Sequence, residues 1–196
     1  MASAGIEVEL KFSVGKAKFR EVKNKLQAIA KFEGKSEQSD AYFTPKHRNF
    51  MRPRFPFEWL SVRRRGNKAI LNYKHWHPEN AEVTTHCDEL ETEVGNAGSL
   101  EGILSALDFM RLAVVEKERE VFVYGGESEV SLDKVRGLGF FIEIEALKDF
   151  GSVEKTKERL FLFARELGLE GLETEKRGYP YLLIKKKGLL KSLGKK

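Results

Sequence analysis

The segment "IEVELKF", Ile6 to Phe12, alternates apolar and charged residues without a break. A strand turns successive side chains to opposite faces. One face therefore carries Ile6, Val8, Leu10 and Phe12, and the other carries Glu7, Glu9 and Lys11. The same period of two returns along the chain. "WLSVRRR" sets Ser61, Arg63 and Arg65 on one face, and "AILNYK" groups Ile70, Asn72 and Lys74. "DELETEV" gathers Glu89, Glu91 and Glu93, while "VVEKEREVFVY" sets Lys117 and Arg119 opposite Glu116, Glu118 and Glu120. "FFIEIEA" sets Glu143 and Glu145 opposite Ile142, Ile144 and Ala146. Alternation of this kind specifies strands. A last apolar run, "YPYLLIK", reads as a strand from Tyr179 to Lys185, and "SLDKVRGLG" as a short helical turn.

Helices separate these runs. From Lys16 to Phe32, the residues Phe19, Val22, Leu26 and Ile29 recur at steps of three and four, an amphipathic stripe. Ser99 is expected to cap a helix carrying Leu100, Ile103, Leu104 and Leu107. Ser152 is expected to cap another, running through Leu160, Phe163 and Leu167 and stopping at Gly168.

Many short strands with a few helices predict an α+β fold, an antiparallel sheet or barrel with helices packed outside. A solvated sheet face is the ordinary home for charges like these. The helices, however, are apolar on one side and need apolar partners. If they cover the apolar strand faces, the charged faces turn inward and line a lumen. That lumen would hold Lys11, Arg63, Arg65, Lys74, Lys117 and Arg119 against Glu7, Glu9, Glu89, Glu91, Glu143 and Glu145. So many enclosed charges need one another, a metal and a ligand.

Composition narrows the ligand. Lys and Arg number 35, Asp and Glu 30, for a net charge of +5, so both signs are abundant. Such a balance suits an anionic partner without demanding nucleic acid. No apolar run approaches a membrane span, so no membrane partner is expected. "MASAG" has neither a basic region nor an apolar one, so no secretory leader is expected. Cys87 is the lone cysteine, which excludes an internal disulfide and a Cys-rich zinc site. Cytoplasmic residence is the resulting expectation. No Pro/Gly/Ser linker divides the 196 residues, so a single domain is expected over 1–187, with a solvated basic tail over 188–196. A loose twofold echo, Glu7-x-Glu9 and Glu89-x-Glu91, opens each half.

Lys and Arg neutralise phosphate oxygens, Arg bidentately. Clustered glutamates bind a hard cation such as Mg²⁺ or Mn²⁺, which in turn bridges phosphate oxygens. Together they describe a site for a metal-bound polyphosphate. Phosphoryl transfer there needs positioning and charge stabilisation rather than a Ser or Cys nucleophile.

"EVELK" fits the Glu-x-Glu-x-Lys signature of the CYTH superfamily of triphosphate tunnel metalloenzymes. "SDAYF", "SVRRR", "NYK", "EKERE", "SLDKVRGLGFFIEIE" and "RGY" resemble the family's later blocks in order. They are most similar to the class IV adenylyl cyclase (CyaB-like) branch. The superfamily also includes thiamine triphosphatases and inorganic triphosphatases. The resemblance spans nearly all of Ile6 to Ile184. It implies an eight-stranded antiparallel β-barrel, the triphosphate tunnel, in which Glu7, Glu9, Glu143 and Glu145 bind metal. It likewise implies that Lys11, Arg63, Lys74, Lys117 and Arg119 hold the phosphates, and that Asp133 lies near the site. Lys11 or a metal-bound water would take part in activating the nucleophile. A homodimer is implied by resemblance alone. Ser61 stands where many relatives have an arginine, with Arg65 on the same face as its substitute, and Thr44 stands where an Asp is frequent. Bacterial cyclases of this branch carry a His-Phe pair ahead of the signature, where this chain has "MASAG".

Three other stretches receive plainer readings. "KHWHPEN" and His86-Cys87 give no standard zinc spacing and are read as loop surface. "KHRNFMRPRFPFEW", spanning the 45–59 loop, is read as a strand connection with packed aromatics rather than a nucleic-acid surface. The tail is read as solvated. The leading expectation is a divalent-metal-dependent hydrolase of inorganic, nucleoside or thiamine triphosphate. The alternatives are an adenylyl cyclase releasing pyrophosphate, and a polyphosphate binder without turnover.

Overall fold

The first run is interrupted once. In the computed structural model, which describes residues 5–190, β1 (Gly5–Glu7) and β2 (Glu9–Val14) are separated by Val8. Then follow α1 (Lys16–Ile29), β3 (Lys31–Pro45), β4 (Glu58–Arg65), β5 (Lys68–His77) and β6 (His86–Val94). The chain continues through α2 (Ala97–Ala106), β7 (Phe109–Tyr124), β8 (Ser128–Val135), β9 (Gly139–Ala146), α3 (Val153–Glu166) and α4 (Tyr179–Lys186). The strand order is β1-β6-β5-β4-β3-β7-β8-β9-β2. Counting β1 and β2 as one interrupted run, these are the eight strands expected, in an antiparallel α+β fold. The expected tail lies mostly in residues 191–196, outside the described residues.

The chain divides into two compact units, each with its own core. One comprises residues 7–36 and 117–176. In it β2 pairs with β9 and β9 with β8, while β8 pairs with the second half of β7. Leu10, Phe12, Val130, Leu132, Ile142 and Ile144 meet Val22 and Leu26 of α1 and Leu160, Phe163 and Leu167 of α3. The helices thus cover the apolar strand face. Ser152 caps α3, its hydroxyl accepting from the Lys155 amide at 3.2 Å, and Gly168 beyond its end adopts a positive φ of 81° that glycine allows.

Among the described residues the other unit comprises 5–6, 37–116 and 177–190. Its core on one strand face joins Ala41, Phe43 and Val62 to Leu104 of α2. A second cluster joins Met51, Trp59 and Leu112 to Ile184 of α4, with Tyr42 and Trp76 against it. Trp59 and Val62 lie on opposite faces of β4, so α2 and α4 pack on opposite sides of these strands. Helix α4 therefore sits on the face that carries Ser61 and Arg63.

Several local expectations are corrected. Residues 179–185 form a helix, not a strand. Pro180 is pre-set for a first helical turn, and Tyr179, Pro180, Leu183 and Ile184 are buried at helical spacing. "SLDKV" belongs to β8, not to a helical turn, because Val130 and Leu132 alternate into the core while β7 and β9 pair on either side. α2 is capped by Asn96, whose side chain accepts from Ser99 N at 2.8 Å, rather than by Ser99. α1 stops at Ile29, and Lys31 already opens β3. His75 and His77 lie in β5, and His86 and Cys87 in β6, rather than in surface loops; Cys87 is fully buried.

Candidate functional site

In the first unit described, register builds the site. Directly opposed residues of antiparallel strands point to the same side. Lys11 opposes Glu143, and Glu143 opposes Ser131. Glu9 opposes Glu145, and Glu145 opposes Glu129. Arg119 opposes Asp133. The charges occupy the strand face turned away from α1 and α3, yet that face is withdrawn from water. Lys11 is 7% exposed, Glu143 9% and Asp133 0%. A solvated strand face does not look like this.

These charges form one connected network. Lys11 Nζ lies 3.0 Å from Glu143 Oε1 and 3.3 Å from Glu9 Oε1. Arg119 donates through Nε and Nη2 to both Asp133 oxygens, at 2.7 and 2.5 Å, and Nη2 also pairs with Glu143. Lys117 Nζ reaches Asp133 Oδ2 at 3.3 Å. Burial alone would lower the Lys11 pKa, but Glu9 and Glu143 outweigh it and hold the ammonium above its ordinary value. Burial alone would raise Glu143, but Lys11, Arg119 and Lys117 outweigh it and hold the carboxyl well below the ordinary range.

Glu7 ends β1 and is buried at 8%. Among the described residues no three His, Cys, Asp or Glu side chains are gathered to hold a metal. The donor chemistry nonetheless fits a hard divalent cation. Glu9, Glu145 and Glu129 form a cross-strand row of carboxylates, an arrangement that like-charge repulsion disfavours without a cation.

The other unit carries a second charged set. Arg63 Nη1 donates to Glu91 Oε1 at 2.5 Å and to Glu89 Oε1 at 3.3 Å. Lys74 Nζ is 3.5 Å from Glu89 Oε1 and 5.8 Å from the centre of the Trp76 ring. Asn72, buried at 2%, donates from Nδ2 to both Glu89 and Glu91, at 2.6 and 2.9 Å. Arg65 forks onto buried Asp40 at 2.5 and 3.2 Å. The residue expected to stand in for the arginine missing at position 61 is thus committed to a carboxylate.

Sequence reading passed over Asp40, Asn72 and Glu129 as site candidates. Period two could have found Asn72, two residues before Lys74 on the same face. Glu129 joins its row through the pairing of β8 with β9, which alternation within its own strand does not signal.

Comparison with known proteins decides the family. The CYTH domain matches residues 5–179. The chain belongs to the CYTH domain family. It is thereby a member of a family of triphosphate-processing enzymes. A Pyrococcus horikoshii protein of known structure is 32% identical, covering 92% of this chain and 99% of its own, with a TM-score of 0.77. Among curated proteins, "Putative adenylate cyclase MJ0240" of Methanocaldococcus jannaschii is 29% identical, over 84% of this chain and 90% of its own. A Hippeastrum protein, described as having a dominant triphosphatase activity, shares the CYTH fold at 16% identity and a TM-score of 0.63, covering 93% of this chain and 95% of its own. Among the described residues no helix is long and apolar enough to cross a membrane.

Proposed function

We propose that this protein is a Mg²⁺- or Mn²⁺-dependent triphosphatase that hydrolyses inorganic, nucleoside or thiamine triphosphate. The observation that carries the proposal is the buried network of Lys11, Lys117 and Arg119 with Glu9, Asp133 and Glu143. Such a set of enclosed cations is costly unless anions engage it. The carboxylates on the same face supply part of that need, and a triphosphate would supply more.

In this reading Lys11, Lys117 and Arg119 hold phosphate oxygens, and Arg63 and Lys74 are assigned the same task on resemblance, while Arg65, held by Asp40, is left out of the cradle. Asp133, gripping Arg119 through both its oxygens, fixes the plane of the guanidinium toward the phosphate. Lys11 is a donor whose hydrogen bonds pass from Glu9 and Glu143 to a phosphate oxygen as negative charge develops there. Glu7, Glu9, Glu143 and Glu145 would hold the cation, which supplies Lewis-acid polarisation of the phosphates and a more acidic bound water. We assign the protein to the cytoplasm, in keeping with its single cysteine.

The second reading is adenylyl cyclase, favoured by the name of the Methanocaldococcus relative. There the ribose 3′-hydroxyl attacks the α-phosphorus and pyrophosphate leaves. The Hippeastrum protein illustrates that this fold accommodates hydrolysis, though at its identity the likeness carries the fold alone. Product analysis separates the two readings. Purified protein is incubated with Mg²⁺ or Mn²⁺ and, separately, ATP and inorganic triphosphate, with Glu9→Ala as control. Orthophosphate release that is lost in Glu9→Ala is expected. Cyclic AMP with pyrophosphate would replace the hydrolase reading by the cyclase. Binding without either product would leave a polyphosphate-binding protein.

A further inference from the structure

In the unit that contains β4, β5 and β6, register sets a neutral row between two cations. Ser61 opposes Asn72, and Asn72 opposes Glu91. Arg63 lies to one side of that row on β4, and Lys74, directly across from Glu89, to the other side on β5. Arg63 is the informative member. It donates to carboxylates through Nη1, to Glu91 at 2.5 Å and to Glu89 at 3.3 Å. Its Nε is buried and has no hydrogen-bond partner among the described residues. A buried donor left open is costly, and it marks a place where an acceptor is missing. Asp40 opposes Arg63 in register, but Arg65 already grips both its oxygens.

Glu89 and Glu91 meanwhile stand where a ligand's oxygens are wanted. Their Oε1 atoms share two donors, Arg63 Nη1 and Asn72 Nδ2, and Glu89 Oε1 also lies 3.5 Å from Lys74 Nζ. Asn72 is fully buried, and Ser61 Oγ donates to its Oδ1 at 3.5 Å, which turns the amide nitrogen toward β6. Two carboxylates drawn to one point repel each other, and these donors hold them there. An entering triphosphate needs the same Arg63 and Lys74. It has to take both cations from the glutamates, leaving them only the neutral Asn72 amide. That exchange is a standing cost on anion binding. Glu93 supplies the contrast. It has the same charge on the same strand face, but it pairs with exposed Lys68 at 3.0 Å and opposes Ile70.

We propose that Glu89 and Glu91 are a built-in counter-anion that competes with the triphosphate for Arg63 and Lys74, and so limits how tightly the anion binds. The inference rests on the triphosphate reading of this face, and its sign is opposite to that of a residue that assists binding. It is tested by titration calorimetry of the full chain with inorganic triphosphate, in metal-free buffer at fixed ionic strength. A change of Glu to Gln keeps the size and an acceptor oxygen while removing the charge. Glu91→Gln is expected to lower the dissociation constant about threefold or more, the scale of one released ion pair. Glu89→Gln, which releases Lys74 as well, is expected to lower it at least as far. Glu93→Gln is expected to leave it near the wild-type value. The Glu91 side chain is 43% exposed, so its variant should keep a near wild-type unfolding midpoint. Unchanged or weaker binding in Glu91→Gln would overturn the proposal. Equal tightening by Glu93→Gln would also overturn it, by reducing the effect to net charge. No binding by the wild type or any variant would overturn the triphosphate reading together with it.

Discussion

At the scale of single residues, the charged face stands or falls with Asp133. It is fully buried and takes hydrogen bonds from both Lys117 and Arg119. Asp133→Asn keeps the shape but leaves two cations short of a counter-charge. We expect a loss of about 3–5 kcal/mol, as for other buried pairs broken on one side, read from the urea midpoint. Glu143 offers a pH test. Its folded pKa is depressed below the unfolded carboxyl's, so the stability it contributes is present above the unfolded pKa, about 4.3. That stability is lost as pH falls through the folded value. The gap between wild type and Glu143→Gln should be constant from neutral pH down to the unfolded pKa of about 4.3, and then narrow steadily as pH falls toward the folded value. A gap independent of pH down to the acid transition would show that the Lys11, Arg119 and Lys117 contacts do not hold Glu143 charged. Much of this site was legible beforehand, because period two fixes which side chains share a face whatever the partner strands are. Who pairs with whom was not. Arg65 with Asp40, Asn72 with two glutamates, and the Glu9–Glu145–Glu129 row all depend on the register between strands, which alternation within one strand does not set.

At the scale of elements, the strands with unbroken alternation read correctly, and the errors fall where a short apolar run lacks a decisive period. "YPYLLIK" is too short for its length to separate strand from helix. Pro180 was the informative residue, since it cannot donate to a ladder but fits the first helical turn. The consequence reaches the site. As a helix, the segment delivers Ile184, 1% exposed, onto Met51, Trp59 and Leu112, on the strand face that also carries Arg63. Ile184→Ala should therefore cost about 2–5 kcal/mol, the range for emptying a packed core position. If the midpoint moves by much less, α4 is not the structural cover for Trp59. For β8 the misreading had another source. The glycines on its flanks and its mixture of Ser, Asp and Lys mask the alternation of Val130 with Leu132. The strand is specified by pairing with the adjacent hairpin strands β7 and β9, which a reading of its own eight residues does not include.

At the scale of the whole molecule, ligand and fold are linked. Anything that binds only the folded state raises stability by an amount set by its concentration over its dissociation constant, about 2.7 kcal/mol at a hundredfold excess. The buried cations and carboxylates of the network make separable contributions to such a shift. Inorganic triphosphate alone should raise the unfolding midpoint through Lys11, Lys117 and Arg119, and more than sulfate at equal ionic strength, because these cations are largely withdrawn from screening. Adding Mg²⁺ or Mn²⁺ should raise it further, and chelation should return it to the value with triphosphate alone. Glu9→Ala should abolish the metal-dependent increment while keeping the anion-dependent one. Arg119→Ala should reduce the anion-dependent one. With a net charge of +5, a nonspecific polyanion effect is the competing account. It predicts equal shifts for sulfate and triphosphate and no response to either substitution. That outcome would detach the buried network from triphosphate altogether, whatever products a turnover assay detects.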